Sequence, residues 1–296
     1  MTPEPSEGAT PWGAPLAGIG DEAAPDARGQ CAALRQLGWH AIELRSVDGV
    51  GLAELPPRDF ADLAARLHTA GLEVVCLDST LGNWASHATD PLSADLATLE
   101  TLAQQAAVLR CRRVRVMSYP GGGLPADRWR ALVLERLGRL ARRAEQLGLT
   151  LLIENCSGWA GTSAARLNWL LDEIDSPALA VLFDTGNGVP HGYDGLAMLE
   201  RLLPRVGHVH VKDAAHDGAG GVRYTLPGQG EAQLPAMLDL LWAGGYRGPL
   251  SIEPHLSLQP HTGGRHAGGP APFVAAGRAL ATLLADRPRP AVPDLR

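Results

Sequence analysis

The chain lacks the features that mark several protein classes. Its four cysteines, Cys31, Cys76, Cys111 and Cys156, are scattered and never form a CxxC pair. That argues against a zinc ribbon and a disulfide framework and for reduced, buried thiols. No run of about 18 apolar residues is present, so no transmembrane helix and no membrane partner are expected. The opening MTPEPSEGATPWGAP has neither the basic start nor the apolar stretch of a signal peptide, and a cytoplasmic location is the expectation. Positive charge is also in deficit. A formal net charge of −6 leaves no general electrostatic case for a nucleic-acid partner. The basic run from Arg110 to Arg115 alternates with apolar residues and reads as a helix end feeding a strand. The glycine-rich GxGxxG turn of a dinucleotide-binding sheet is missing after the first strand, where GIGDEAAP stands instead.

What is present is an alternation of short apolar strands and longer amphipathic helices. At 296 residues and 45% hydrophobic content, the chain can bury roughly three quarters of its unfolded surface. Residues 1–15, rich in Pro, Gly, Glu and Thr, read as a mobile tail, and residues 286–296 as a Pro-rich tail. Between them, residues 16–285 hold eight strand–helix units. The strands are LAGIG, HAIELRS, LEVVCLDS, RVRVMSY, LTLLIENC, LAVLFDTG, GHVHVKD and PLSIEPH. Helices include those opening at Pro56 and Pro57 and closing at Gly71, and running from Ala126 to Leu147. Strict alternation requires parallel strands, because each helix carries the chain back across the sheet. Eight units in this length predict an α/β fold, a single (β/α)8 TIM barrel, over an open doubly wound sheet.

The stretch VGHVHVKDA, residues 206 to 214, organises the functional reading. Val209 and Val211 face one way in an extended strand, and His208, His210 and Lys212 the other. Three further strands end in an acid, at Glu154, Asp184 and Glu253. Their neighbours Ile153, Phe183, Val209 and Ile252 are apolar and belong against the helices, so Glu154, Asp184, His210 and Glu253 face inward together at one rim. Three carboxylates in a confined space repel one another, and a divalent cation relieves that repulsion. Three carboxylates and an imidazole suit Mn2+ first, with Mg2+, Co2+ and Zn2+ compatible.

These strand ends, IENCSGW, FDTGN, HVHVKD and SIEPH, resemble the metal motifs of the xylose isomerase-like TIM barrels, the sugar phosphate isomerase/epimerase family, over about residues 16 to 285. The resemblance implies one metal ion bound by Glu154, Asp184, His210 and Glu253. It also implies that the two glutamates exchange protons with the substrate, as in ketose 3-epimerases of the family. Asn187 departs from those enzymes, which carry a histidine at that position.

The expected activity is that of a metal-dependent isomerase or epimerase of a sugar or sugar derivative, working through an enediolate with Glu154 and Glu253 as base and acid. The runner-up is a lyase on the same centre, either an inosose-type dehydratase or a keto-glycoside β-eliminase. An endonuclease IV-like hydrolase and a non-catalytic binding subunit rank behind. The substrate is a small sugar, cyclitol or glycoside, and a homo-oligomer is compatible with the sequence. Candidate substrate-binding residues are Asn187, Lys212, Arg223, His255, His261 and Arg265. The last three border or lie within a Gly- and His-rich loop, residues 255 to 270, read as a lid over the rim. Lys212 reads either as a substrate ligand or as a partner of Glu154, His208 as a deeper supporting residue, and Glu43 with Arg45 as an ion pair inside the barrel. Trp84, Tyr119 and Trp159 are candidates for stacking on a sugar or for packing at the rim.

Overall fold

Strand length and helix capping set the architecture. The structure, a computed structural model, describes residues 13–259, 264–265 and 269–285. The eight strands are β1 (Leu16–Gly18), β2 (Ala41–Leu44), β3 (Glu73–Asp78), β4 (Arg113–Ser118), β5 (Thr150–Gly158), β6 (Leu179–Asp184), β7 (Val206–Val211) and β8 (Leu250–Ile252). They pair in parallel in the order β1-β8-β7-β6-β5-β4-β3-β2. A parallel bridge between Ile19 and Glu43 then brings the two edges of the sheet together. Pro15 already contributes to the β1–β8 pairing, because its carbonyl accepts the Leu250 amide at 2.9 Å.

Among the described residues seven helices of eight residues or more follow the first seven strands, α1 (Ala27–Gln36), α2 (Pro57–Ala70), α3 (Leu92–Leu109), α4 (Ala126–Leu147), α5 (Ala164–Ile174), α6 (Gly195–Leu202) and α7 (Leu234–Ala243), with a single helical turn, Gly188–His191, ahead of α6. The helix after β8 is α8 (Ala271–Ala285). Their ends follow local chemistry. Asp26, Ser163 and Asp194 each accept a backbone amide at a helix start, whereas Gly71 ends α2 at φ +67, a left-handed conformation open to glycine. No described helix is long and apolar enough to cross a membrane.

The main core lies between sheet and helices and includes Ile42, Leu44, Ile153, Phe183, Val209, Val211 and Ile252. Each such side chain withdrawn from water contributes about 1.5–3 kcal/mol. Two small clusters, Ala17 with Ala41 and Val75, and Cys76 with Leu152 and Leu182, stay separate from it. Leu152 and Leu182 alternate with the helix-facing Ile153 and Phe183, so they occupy the opposite strand face. That face becomes polar towards the carboxyl ends of the strands.

Two details differ from the sequence reading. The long loop after β7 contains an antiparallel hairpin pairing Asp213–His216 with Val222–Thr225. Its tip is tied by Asp217 Oδ1, which accepts the amides of Ala219 and Gly221. Second, the Gly- and His-rich loop contains a short pairing of Leu258–Gln259 with Gly264–Arg265. His261 and His266 lie outside the described residues, as do the two terminal segments 1–12 and 286–296.

Candidate metal centre

Four successive strands deliver the predicted cluster. Ligand atoms of Glu154, Asp184, His210 and Glu253, all buried, lie within 4.8 Å of one another. His210 Nδ1 is 3.4 Å from Glu253 Oε2 and 4.0 Å from Asp184 Oδ2. Those separations fit groups bonded at about 2.0–2.2 Å to one shared ion.

Local structure aims each group. The amides of Gly186 and Asn187 donate to Asp184 Oδ1 at 2.8 and 2.9 Å, which leaves Oδ2 to face the centre. Glycine is needed at 186, because a Cβ there would stand 2.7 Å from Lys212 Cγ and 2.8 Å from its Cβ. Asn155 ties β5 to β6: its Oδ1 accepts the Asp184 amide and its Nδ2 donates to the Asp184 carbonyl. Glu43, on β2, binds Nε2 of both His208 and His210, at 2.8 and 3.0 Å. With Nε2 of His210 engaged, Nδ1 is the nitrogen turned to the centre, the arrangement by which an outer carboxylate orients a ligating histidine.

Each glutamate is backed by its own arginine. Arg45 Nη1 donates to Glu253 Oε1 at 2.7 Å, and Arg115 Nε lies 3.6 Å from Glu154 Oε2. Asn187 Nδ2 donates to Glu154 Oε1 at 3.2 Å. The Lys212 ammonium stands 2.8 Å from Asp184 Oδ2, 2.7 Å from Glu253 Oε2 and 3.3 Å from Asn187 Oδ1. Lys212 is the only lysine of the sequence. Its contacts with the two carboxylates are Coulombic rather than aligned, because Asp184 Oδ2, Glu253 Oε2 and His210 Nδ1 all lack a hydrogen-bond partner. These three atoms are ones that an ion at the cluster would engage, so the residues fit a divalent metal.

Electrostatics agree with that fit. Burial, together with the like charges of Glu253 and Glu154, pushes the Asp184 carboxyl up to about 6 despite Lys212. Burial would also raise Glu253, but Lys212, His255 and His210 more than offset it and hold the carboxyl well below its usual range. Burial works against the charge of Lys212, yet Asp184, Glu253 and Glu154 keep its pKa well above normal. Seven buried carboxylates, Asp21, Glu22, Glu43, Asp78, Glu154, Asp184 and Glu253, converge on this end and interior of the barrel. Among the described side chains they face three obligate cations, Arg45, Arg115 and Lys212.

The other candidate residues divide. His255 is buried, but its amide and Nδ1 both meet the Glu22 carboxylate at 2.7 Å, and its Nε2 is 3.9 Å from Glu253 Oε1. It therefore supports Glu253 from the side. Arg223 is exposed on the hairpin opposite Ala215, while its neighbour Tyr224 sets its ring edge-on to His255 at 4.8 Å. Strand alternation thus turns Tyr224, not Arg223, inward. The backbone of Arg265 lies in the short pairing after β8, and His261 is outside the described residues. Lys212 pairs with Asp184 and Glu253 rather than directly with Glu154. Glu43 and Arg45 do not pair: Glu43 holds the two histidines, and Arg45 binds Asp21, Glu22 and Glu253. Tyr119 and Trp159 are core residues, whereas Trp84 is 37% exposed.

Sequence reasoning missed Arg115, Asp78, Asp21 and Glu22. Arg115 carried a readable signal, since RVRV alternates as GHVHVK does. Asp213 was also passed over. Its carboxylate gathers the amides of Ala214, Gly228, Gly230 and Ala232 and so fixes the loop after the hairpin.

The fold and rim together define an eight-stranded parallel α/β barrel with a buried three-carboxylate, one-imidazole cluster at the carboxyl ends of β5 to β8. The chain belongs to the xylose isomerase-like TIM barrel family, whose profile matches residues 31–268. An inosose dehydratase from Geobacillus thermodenitrificans (strain NG80-2) is 28% identical over 136 residues, which are 41% of this chain and 46% of that protein. The chain thus matches about half the length of this curated relative. Among solved structures, the IOLI protein with a bound zinc atom superposes with TM-score 0.73 at 15% identity, covering 91% of this chain and 98% of that one. D-allulose 3-epimerase from Methylomonas sp., solved with D-allulose, gives TM-score 0.71 at 18% identity, covering 95% and 98%. At these identities the structural likeness speaks for the fold.

Proposed function

We propose that the protein is a divalent-metal-dependent isomerase or epimerase that moves a proton next to the carbonyl of a sugar or sugar derivative. The carrying observation is the pair Glu154 and Glu253. Both are buried, both share a centre with Asp184 and His210, and each is backed by a different arginine. Bound between the four ligands, Mn2+ or a similar ion would polarise a substrate carbonyl as a Lewis acid and acidify the adjacent C–H bond.

Glu253, held ionised, takes that proton. Glu154, which reaches the centre from β5 rather than β8, delivers a proton to the other face or to the neighbouring carbon. The Lys212 ammonium and the Asn187 amide, beside both glutamates, orient the substrate oxygens. Burial of the whole set keeps water from quenching the carbanionic species.

A second reading, dehydration, is supported by the inosose dehydratase relatives. In that case Glu154 protonates a departing hydroxyl instead of a carbon. A DNA hydrolase is disfavoured, since a backbone phosphate would enter a region of seven buried carboxylates.

The test is incubation of metal-loaded protein with ketoses, inososes and keto-glycosides in D2O. Deuterium should appear beside the carbonyl, and Glu253→Gln and Glu154→Gln should each slow product formation by about 10²- to 10⁴-fold. An epimer, an isomer or an eliminated product separates the two readings. Absence of exchange with every compound, or exchange indifferent to both substitutions, would sink the proposal.

A further inference from the structure

The hairpin after β7 carries a side chain that the proton transfer does not use. Its register sets Tyr224 opposite Ala214, two residues beyond Lys212. Residues paired across a hairpin share a face, and successive residues alternate faces. Tyr224 meets His255 and so looks to the barrel mouth, whereas Arg223 turns away and its charge acts on the exposed Glu231. Both ends of the hairpin are tied. The Asp213 carboxylate gathers the amides of Gly228, Gly230 and Ala232 at the base, and Asp217 Oδ1 those of Ala219 and Gly221 at the tip.

The ring is braced as well as the backbone. It stands edge-on to His255 with centroids 4.8 Å apart, and Glu22 fixes His255 through its amide and Nδ1. The same histidine flanks Glu253, with Nε2 3.9 Å from Oε1. Tyr224 is half-buried, yet its phenolic oxygen has no hydrogen-bond partner among the described residues. A tyrosine hydroxyl withdrawn from water ordinarily finds one. The charges that reach this phenol are those of the centre. Burial raises its pKa, Lys212 pulls it down, and Asp184 and Glu253 push it up again. The net direction is upward, so the hydroxyl keeps its proton and can donate it in a hydrogen bond.

We propose that Tyr224 reads a substrate hydroxyl above the centre, its phenol donating to an oxygen of a polyol bound between Glu154, Asp184, His210 and Glu253. Occupation of that centre by substrate is taken from the reading above, whereas the choice of Tyr224 stands on the hairpin and its contacts. The test is calorimetric titration of the full-length, Zn2+-loaded protein with D-erythronohydroxamate and butyrohydroxamate. The two share a metal-chelating head and a four-carbon skeleton, and only the first carries hydroxyls along it. The hydroxylated probe should bind about tenfold or more tightly, and Tyr224→Phe should cut that preference about fivefold, the size of one lost hydrogen bond. Butyrohydroxamate affinity and the melting temperature should stay as they are, because phenylalanine keeps the ring against His255. A merely structural tyrosine predicts no change in the preference. No binding of either probe, no preference for hydroxyls, a preference unmoved by Tyr224→Phe, an equal loss for both probes, or a larger loss for Arg223→Ala than for Tyr224→Phe overturns the proposal. Neither probe has to react. Hydroxyl recognition without deuterium exchange in any ketone would leave the role of Tyr224 standing and the carbonyl chemistry fallen. Exchange that depends on Glu154 and Glu253, with a preference indifferent to Tyr224→Phe, would do the reverse.

Discussion

The two halves of the barrel rim use the same strand alternation to opposite electrostatic ends. On β1 to β4 the inward carboxylates stand beside guanidinium groups, Asp21 and Glu22 at Arg45 and Asp78 at Arg115, and the atoms left without a hydrogen-bond partner there, Asp78 Oδ1 and Arg115 Nε and Nη1, belong to an oppositely charged pair. On β5 to β8 three carboxylates meet one lysine and one histidine, and three of the atoms turned to the centre have no hydrogen-bond partner. The orphaned atoms of the first half already include donors beside an acceptor, whereas those of the second are two carboxylate oxygens and an imidazole nitrogen, a donor set that suits a cation from outside. Position on a strand face thus establishes that a charged group points inward, and only the census of neighbours says what it is for.

Glu43 offers the sharpest way to break this contrast, because it sits on β2 yet serves the metal half through His210 Nε2. Glu43→Gln keeps the shape but loses the carboxylate that fixes the imidazole. Metal affinity, measured by competition against a chromogenic chelator, should fall about 10- to 100-fold, with the melting temperature of the metal-free protein recorded as a control. Unchanged affinity would mean that the two halves are electrostatically independent.

Glu43 also shows where the sequence stopped being legible. Eight strands, their faces and the convergence of four polar groups at the rim follow from apolar periodicity and from the residues at strand ends, which are local properties. The partner of an inward charge is a property of the closed barrel. Glu43 and Arg45 share a face, which suggests a pair, but residues two apart on a strand stand in different layers. Glu43 lies in the layer of the histidines, and Arg45 lies at the rim beside Asp21 and Glu253. The inward turn of Tyr224 in place of Arg223 was hidden for a similar reason. It depends on the register of a hairpin that reads in sequence as an irregular loop.

Acid should weaken the metal half selectively. The Asp184 carboxyl, pushed up to about 6 by burial and its neighbouring carboxylates, must be deprotonated to ligate. As pH falls through about 6 the proton competes with the ion, so affinity should drop roughly tenfold per pH unit, or more steeply where His210 Nδ1 also has to release a proton. Calorimetric metal titrations at pH 5, 6 and 7 read this slope. A flat response across that range would remove Asp184 from the ligand set.

The smallest expected effect distinguishes two accounts of Lys212. An ion about 2.1 Å from Asp184 Oδ2 would lie within about 5 Å of an ammonium that stands 2.8 Å from the same oxygen. Charges of +2 and +1 at that distance repel by roughly 6 to 7 kcal/mol at an effective dielectric of about 20. Most of that repulsion is avoidable, because the four-carbon stem of lysine lets the head group swing away from the carboxylates. What remains is a competition for Asp184 Oδ2 and Glu253 Oε2, so Lys212→Met should bind metal about three- to tenfold more tightly, about 1 kcal/mol, while losing turnover. If Lys212 instead holds the carboxylates in place for the ion, the same substitution weakens binding. Because the chain has no other lysine, acetic anhydride labelling read by peptide mass spectrometry supplies an independent measure. Label on Lys212 should form faster in the metal-loaded protein, where the ion has displaced the ammonium from its two carboxylates.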